Sequence, residues 1–135
     1  MALSDPGFGR SVICSPGETA ATVTVAEAVK EGDVLGYSSG WKRSLATVGS
    51  VINPQIVALK DAASGGKCPV ATVCVVTGYS GGTPGGLVYC AEGSDKGEVT
   101  DTAPSTSGDV NTVIGVLLSA TDIAFNLTNK QTLAP

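Results

Sequence analysis

The groups that carry acid–base, nucleophilic or metal chemistry are few in this sequence and poorly spaced for it. Histidine is absent from all 135 residues, which removes the commonest general base and the commonest metal ligand. Catalysis would then fall to paired carboxylates, a lysine base or an activated cysteine. The densest acidic group, Asp95, Glu98 and Asp101 in GSDKGEVTD, has Lys96 in its midst and glycines on either side. That composition describes a solvated hairpin turn, and the run lacks the alternating Asp or Asn and closing Glu of a calcium loop. The four cysteines, Cys14, Cys68, Cys74 and Cys90, contain no C-x-x-C pair. Cys68 and Cys74 lie six apart in CPVATVC, on one face of an expected strand and too far apart along it to share a metal. Reduced, buried thiols acting as small hydrophobes are the expectation.

A phosphate cradle would need glycines at fixed offsets between a strand and a helix, so that backbone N–H groups converge on the anion. The most glycine-dense stretch, GYSGGTPGGLVYC at residues 78–90, contains neither G-x-G-x-x-G nor G-x-x-x-x-G-K. It runs into LVYC, a strand pattern, so the expected role is a turn in which glycines take positive φ and Pro84 fixes its neighbour. Tyr79, Tyr89, Trp41 and Phe8 are the aromatic candidates for a sugar-binding face, although single aromatics on strands more often cover cores and edges. Asn126-Leu127-Thr128 has the form of a glycosylation acceptor, relevant only to a secreted chain. No catalytic residue, metal site or cofactor site is expected, and the chain reads as a non-enzyme.

The elements that would position these residues are strands. TAATVTVAEAV alternates with a period of two; KEGDVLGYSSGWKRSLA gives short strands punctuated by Gly32, Gly36 and Gly40; a β-branched run leads to Thr77. VNTVIGVLLSA and TDIAFNL read as the last two strands, and ALKDAAS is the one place for a short helical turn. No repeat of fixed period emerges. Short strands at near-even spacing without a long amphipathic helix imply an all-β single domain, a small sandwich or barrel. Residues 1–17, with Pro6, Pro16 and three glycines around SVIC, read as an extended N-terminal arm on a domain of residues 18–135.

Composition narrows the function further. The chain is 42% hydrophobic, yet only 4% aromatic and 15% charged, with a net charge of -4. Eight scattered Lys and Arg make no basic stripe, so no nucleic-acid partner is expected. No apolar run is long enough for a membrane helix, and the N-terminus lacks the pattern of a signal peptide, so no membrane partner is expected and synthesis in the cytoplasm is.

One arrangement is recognisable: EGDVLGY, then VALKDAASGGKCPVATVC, then GGTPGGLVYCAEGSDKGEVTDTAPSTSGDVNTVIGVLLSATDIAFNL. Over about residues 31–127 it resembles the small capsid decoration (cement) proteins of tailed phages and related head-fibre and fibre-tip β-modules. The four cysteines and the Pro/Gly-rich leader depart from that pattern. The resemblance implies a structural virion protein on the capsid exterior, assembled in the host cytoplasm. It implies a homotrimer, with the major capsid protein as partner, that stabilises the shell; exposed strand edges closed in a ring of three copies suit this. The alternative it carries is a head-fibre or tail-fibre tip that binds a host receptor or glycan. On this reading the arm contacts the capsid or a neighbouring copy, with Phe8 and Arg10 as anchors and Val12 and Ile13 in a segment that pairs with an edge strand there.

Overall fold

The computed structural model describes residues 11–14, 21–93 and 95–128. Among them it is all-β, without a helix, and eleven strands form two antiparallel sheets. The strands are β1 (Ser11–Cys14), β2 (Ala21–Thr24), β3 (Val34–Tyr37), β4 (Trp41–Arg43), β5 (Ile56–Ala58), β6 (Lys67–Ala71), β7 (Val73–Thr77), β8 (Leu87–Cys90), β9 (Val99–Thr100), β10 (Gly115–Leu117) and β11 (Ile123–Asn126). One sheet has the order β1-β7-β11-β10-β8-β9, and the other β2-β6-β5-β3-β4.

Two apolar cores follow from this arrangement. The larger lies between the sheets, where Val34 and Val57 of the five-stranded sheet meet Cys74, Val76, Ile123 and Phe125 of the other. The smaller is enclosed by the five-stranded sheet itself, on the opposite faces of the same strands: Leu35 follows Val34, Ala58 follows Val57, and both point to Val25, Cys68 and Val70. That sheet curls until Val25, just beyond β2, bridges Trp41 of β4, and the Ala26 N–H donates to the Trp41 carbonyl at 2.8 Å. The strand at one edge thus meets the strand at the other, and a small barrel results. Strands with both faces buried read as continuous apolar runs rather than clean alternation, which is the pattern of VLG in β3 and IVA in β5.

Glycine turns set the strand spacing. Six turns have the same form, with glycine in the third position at φ between 77° and 94° and an N–H to C=O bond of 2.8 to 3.1 Å closing residues one and four. They are Lys30-Glu31-Gly32-Asp33, Thr47-Val48-Gly49-Ser50, Ala63-Ser64-Gly65-Gly66, Thr83-Pro84-Gly85-Gly86, Asp95-Lys96-Gly97-Glu98 and Thr106-Ser107-Gly108-Asp109. Positive φ in the third position alone is the type II turn. In three of them a buried acid and a valine follow the glycine: Asp33-Val34, Glu98-Val99 and Asp109-Val110. Two of the acids latch backbone. Asp33 accepts the Lys30 N–H at 2.9 Å, and Asp109 accepts the Val48 N–H at 2.6 Å. At Gly36 the reason for glycine is different, since a methyl there would overlap the carbonyl oxygen of Asn53.

Several sequence expectations change. Cys68 and Cys74 do not share a strand face: the chain leaves β6 and enters β7 at Thr72, crossing between sheets, so Cys68 lies in the barrel core and Cys74 in the inter-sheet core. ALKDAAS holds no helical turn; Ala62 pairs with Val29 and a type II turn follows. In VNTVIGVLLSA only Gly115–Leu117 is strand. Glu98 is not solvated but fully buried. SVIC, assigned to the arm, joins the chain's own sheet as β1, pairing Ser11 with Thr77 and Val12 with Val76.

Candidate interaction surface

The surface most unusual for a soluble domain is the outer face of the six-stranded sheet. Along β7, Cys74 and Val76 turn to the core, so Val73, Val75 and Thr77 turn outward. Ile123 and Phe125 of β11 leave Ala124 and Asn126 outside, Gly115 and Leu117 of β10 leave Val116, and Val88 and Cys90 of β8 leave Leu87 and Tyr89. The register then lines up one apolar row over four strands: Val75 opposite Ala124, Ala124 opposite Val116, Val116 opposite Leu87. Leu87 is 48% exposed and Val73 38%, while Leu118, just past β10, is 53% exposed.

These four strands contain no Lys, Arg, Asp or Glu. An outward sheet face is normally polar, because water contacts it. Here only hydroxyls and an amide, at Thr77, Tyr89 and Asn126, interrupt the apolar row. At strand spacings of about 4.8 Å and 3.3 Å per residue, the face spans roughly 250 Å². That is below the roughly 800 Å² per partner of a stable interface, so it suits the centre of a contact rather than all of it. Depletion of charge at the centre is what distinguishes interface cores from other surface. At the rim Asp122 accepts the hydroxyls of Thr77, at 2.6 Å, and Thr121, at 2.9 Å. Those two bonds hold its carboxyl below the usual range, so the turn that borders the face is tied to β7.

Several sheet edges are blunted within the chain among the described residues. β9 has two residues, β2 and β4 meet through the Val25–Trp41 bridge, and β1 carries an irregularity between Val12 and Cys14. The Val12 N–H is taken up by the Glu31 carboxylate at 2.7 Å. Glu31 is itself tethered, its N–H donating to Asp61 at 2.7 Å. Short edges, irregularities and nearby charge are the usual means of preventing strand addition.

The residues singled out from the sequence fare unequally. Val12 packs against the inter-sheet core; Phe8 and Arg10 lie outside the described residues, as does the side chain of Ile13. Tyr79 is buried and meets Phe125 edge to face, with centroids 6.4 Å apart, so it lines no external face. Asp95, Glu98 and Asp101 do not converge. Asp95 lines a cleft of about 200 Å³ with Glu92, Thr100 and Thr102, whereas Glu98 is buried. Beside that cleft a hydrogen bond with Asp109, helped by slight burial and by the negative charge of Asp109, raises the Glu92 carboxyl. Among the described residues no three His, Cys, Asp or Glu side chains are grouped to hold a metal ion. Cys68, Cys74 and Cys90 are buried thiols that form no disulfide. Burial raises the Cys68 thiol, and raises that of Cys90 to about 12 despite its bond to the Ser44 hydroxyl.

The outer face went unnoticed in the sequence, although its signal is there: VCVVT, LVYC, GVL and IAFN have no charge at either alternating position. No helix among the described residues is long and apolar enough to cross a membrane. No protein-family model, no curated protein and no solved structure matches the chain.

Proposed function

We propose that this chain is a structural virion protein that binds the outer surface of an assembled phage capsid and stabilises the shell, its subunits grouped as a homotrimer. The observation that carries the reading is the charge-free apolar outer face of the six-stranded sheet, built on a rigid two-core scaffold. A surface of this kind costs solubility when left in water, and contact with a protein shell removes that cost. The sequence resemblance to capsid decoration proteins supports the same reading.

The mechanism is mass action. A protein that binds the assembled, expanded shell and not its separated subunits stabilises the shell by about 2.7 kcal/mol per site at a free concentration of 100 times Kd. Each site adds to the barrier against disassembly without any chemical step. Co-sedimentation of the purified chain with expanded and unexpanded heads of the cognate phage tests this. Saturable binding to expanded heads only is expected, and no binding to either form overturns the reading. Light scattering of the free chain tests the trimer, which a monomer both free and on heads would exclude.

A further inference from the structure

We infer that the β3–β4 hairpin is a binding site for a neutral carbohydrate, with Tyr37 as its exposed platform. Tyr37 and Trp41 face each other across the hairpin. Their rings pack edge to face, with centroids 5.4 Å apart and planes at 80°. Trp41 is held on its other side by the barrel core, so it serves as a fixed wall against which Tyr37 stands. Tyr37 remains 62% exposed, the most exposed large hydrophobic side chain among the described residues. Its backbone is fixed as well, because its N–H donates to the Gln55 side chain at 2.7 Å.

An independent observation lies at the tip. Ser39 adopts φ 55°, the only described residue other than glycine with positive φ. A serine in that region is strained, and such strain persists only where the surroundings impose it. They do so here: the Ser38 N–H bonds the Gly40 carbonyl at 2.8 Å, and Gly40 sits so close to Ala26 that a side chain there would clash. The tip is thus preorganised, which lowers the entropy cost of binding.

The chemistry around Tyr37 selects the ligand class. Ser38, Ser39, Asn53 and Gln55 are exposed, neutral and able to donate and accept hydrogen bonds. Rigid aromatic anchors interleaved with Ser, Gly and Asn form the composition of adaptable recognition loops. A pyranose ring presents an apolar C–H face to stack on tyrosine and a rim of hydroxyls for the amides and serines. Of the two cations on β4, Lys42 alternates to the face opposite Trp41 and Arg43 is held by Glu27 at 3.2 Å, so an anionic ligand finds no cluster of available cations beside Tyr37. The hairpin belongs to the five-stranded sheet, not to the face assigned to shell contact, so the inference does not depend on shell attachment.

Affinity gel electrophoresis of the full chain in gels cast with dextran, mannan, galactan or the anionic polymer alginate provides the test, alongside fluorescence titration with the same polymers. Trp41 is the only tryptophan, so emission reports on this hairpin directly. Retardation by at least one neutral polymer is expected, with a change in Trp41 emission and at least tenfold weakening in Tyr37→Ala but not in Leu118→Ala. Any of four results overturns the inference: no neutral polymer retards the chain; alginate alone does; retardation leaves Trp41 emission unchanged; or Tyr37→Ala binds as the unaltered chain does.

Discussion

The outside of the barrel and the outside of the six-stranded sheet are built from the same short strands and glycine turns, yet they meet water in opposite ways. On the barrel side charges are abundant and paired: Arg43 holds Glu27 at 3.2 Å, Lys30 lies 3.7 Å from Asp61, and Lys67 reaches the Thr24 hydroxyl at 3.4 Å. On the sheet side four adjacent strands carry none. Fold stability does not require the difference, since exposed ion pairs contribute little. The contrast makes the bare side, and not the paired charges of the barrel side, the surface on which the proposed shell contact rests.

The largest expected effects come from the cores that join the two regions. Ile123→Ala in the inter-sheet core and Leu35→Ala in the barrel core should each cost about 2–5 kcal/mol, measured by chemical denaturation. Both strands β3 and β5 feed both cores, so a single unfolding transition is expected in each variant. Two separated transitions would show that barrel and sheet are independent, and the comparison would then concern two units.

Next in size is the effect on the surfaces themselves. Leu87→Glu places a charge in the bare face and should weaken head binding at least tenfold, about 1.4 kcal/mol, in the sedimentation assay. Lys67→Glu on the barrel exterior should leave binding within about twofold. Equal losses for the two would remove the basis for assigning contact to the sheet face.

A smaller effect belongs to Glu27. Burial raises its carboxyl, but the Arg43 backbone N–H and guanidinium together outweigh burial and hold it below its ordinary value of 4.5. A carboxyl depressed in the folded state contributes stability that is fully present above the unfolded pKa and is lost as pH falls through the lower folded value. Melting temperatures of the unaltered chain should therefore fall more steeply below about pH 4.5 than those of Glu27→Gln, by an amount equivalent to about 0.5–1 kcal/mol. Identical acid limbs would mean that the pair is inert.

The smallest effect is chemical silence. With the Cys90 thiol raised to about 12 and buried, the folded chain should react with iodoacetamide at Cys68, Cys74 and Cys90 only through unfolding. Mass spectrometry after labelling at pH 8, with and without denaturant, measures this. Rapid labelling of Cys90 under native conditions would contradict its placement.

Much of the fold was legible in the sequence because its punctuation is local. Gly85 after Pro84, or Gly65 before Gly66, specifies a turn from two or three residues. What escaped was which strand joins which sheet. Cys68, Val70, Cys74 and Val76 all fall in one phase of a two-residue period, yet the first pair fills the barrel and the second fills the sandwich. Periodicity reports that a side chain is covered, not what covers it. The recurring Gly-Asp-Val, Gly-Glu-Val and Gly-Asp-Val at residues 32–34, 97–99 and 108–110 was readable too, but its spacing is uneven, and a search for fixed period passes over it. The bare face escaped for a third reason: absence of charge becomes a surface property only once the register places four strands side by side.

The type II turns have a practical consequence for engineering. Beyond the glycines of Ala63-Ser64-Gly65-Gly66 and Thr83-Pro84-Gly85-Gly86 nothing lies within 4 Å of where a side chain would begin at Gly65 or Gly85. Each tip is closed by its own turn bond and is also tied to a neighbouring segment, the Gly65 N–H donating to the Val25 carbonyl at 2.8 Å and the Gly85 N–H to the Leu117 carbonyl at 2.7 Å, so an insertion has to leave those bonds in place. Exposed tips of this kind are where foreign sequence is best tolerated. A peptide epitope grafted between Ser64 and Gly65 would project from the five-stranded sheet, leaving the charge-free face of β7, β11, β10 and β8 unencumbered, which makes the chain a candidate carrier for displayed antigens.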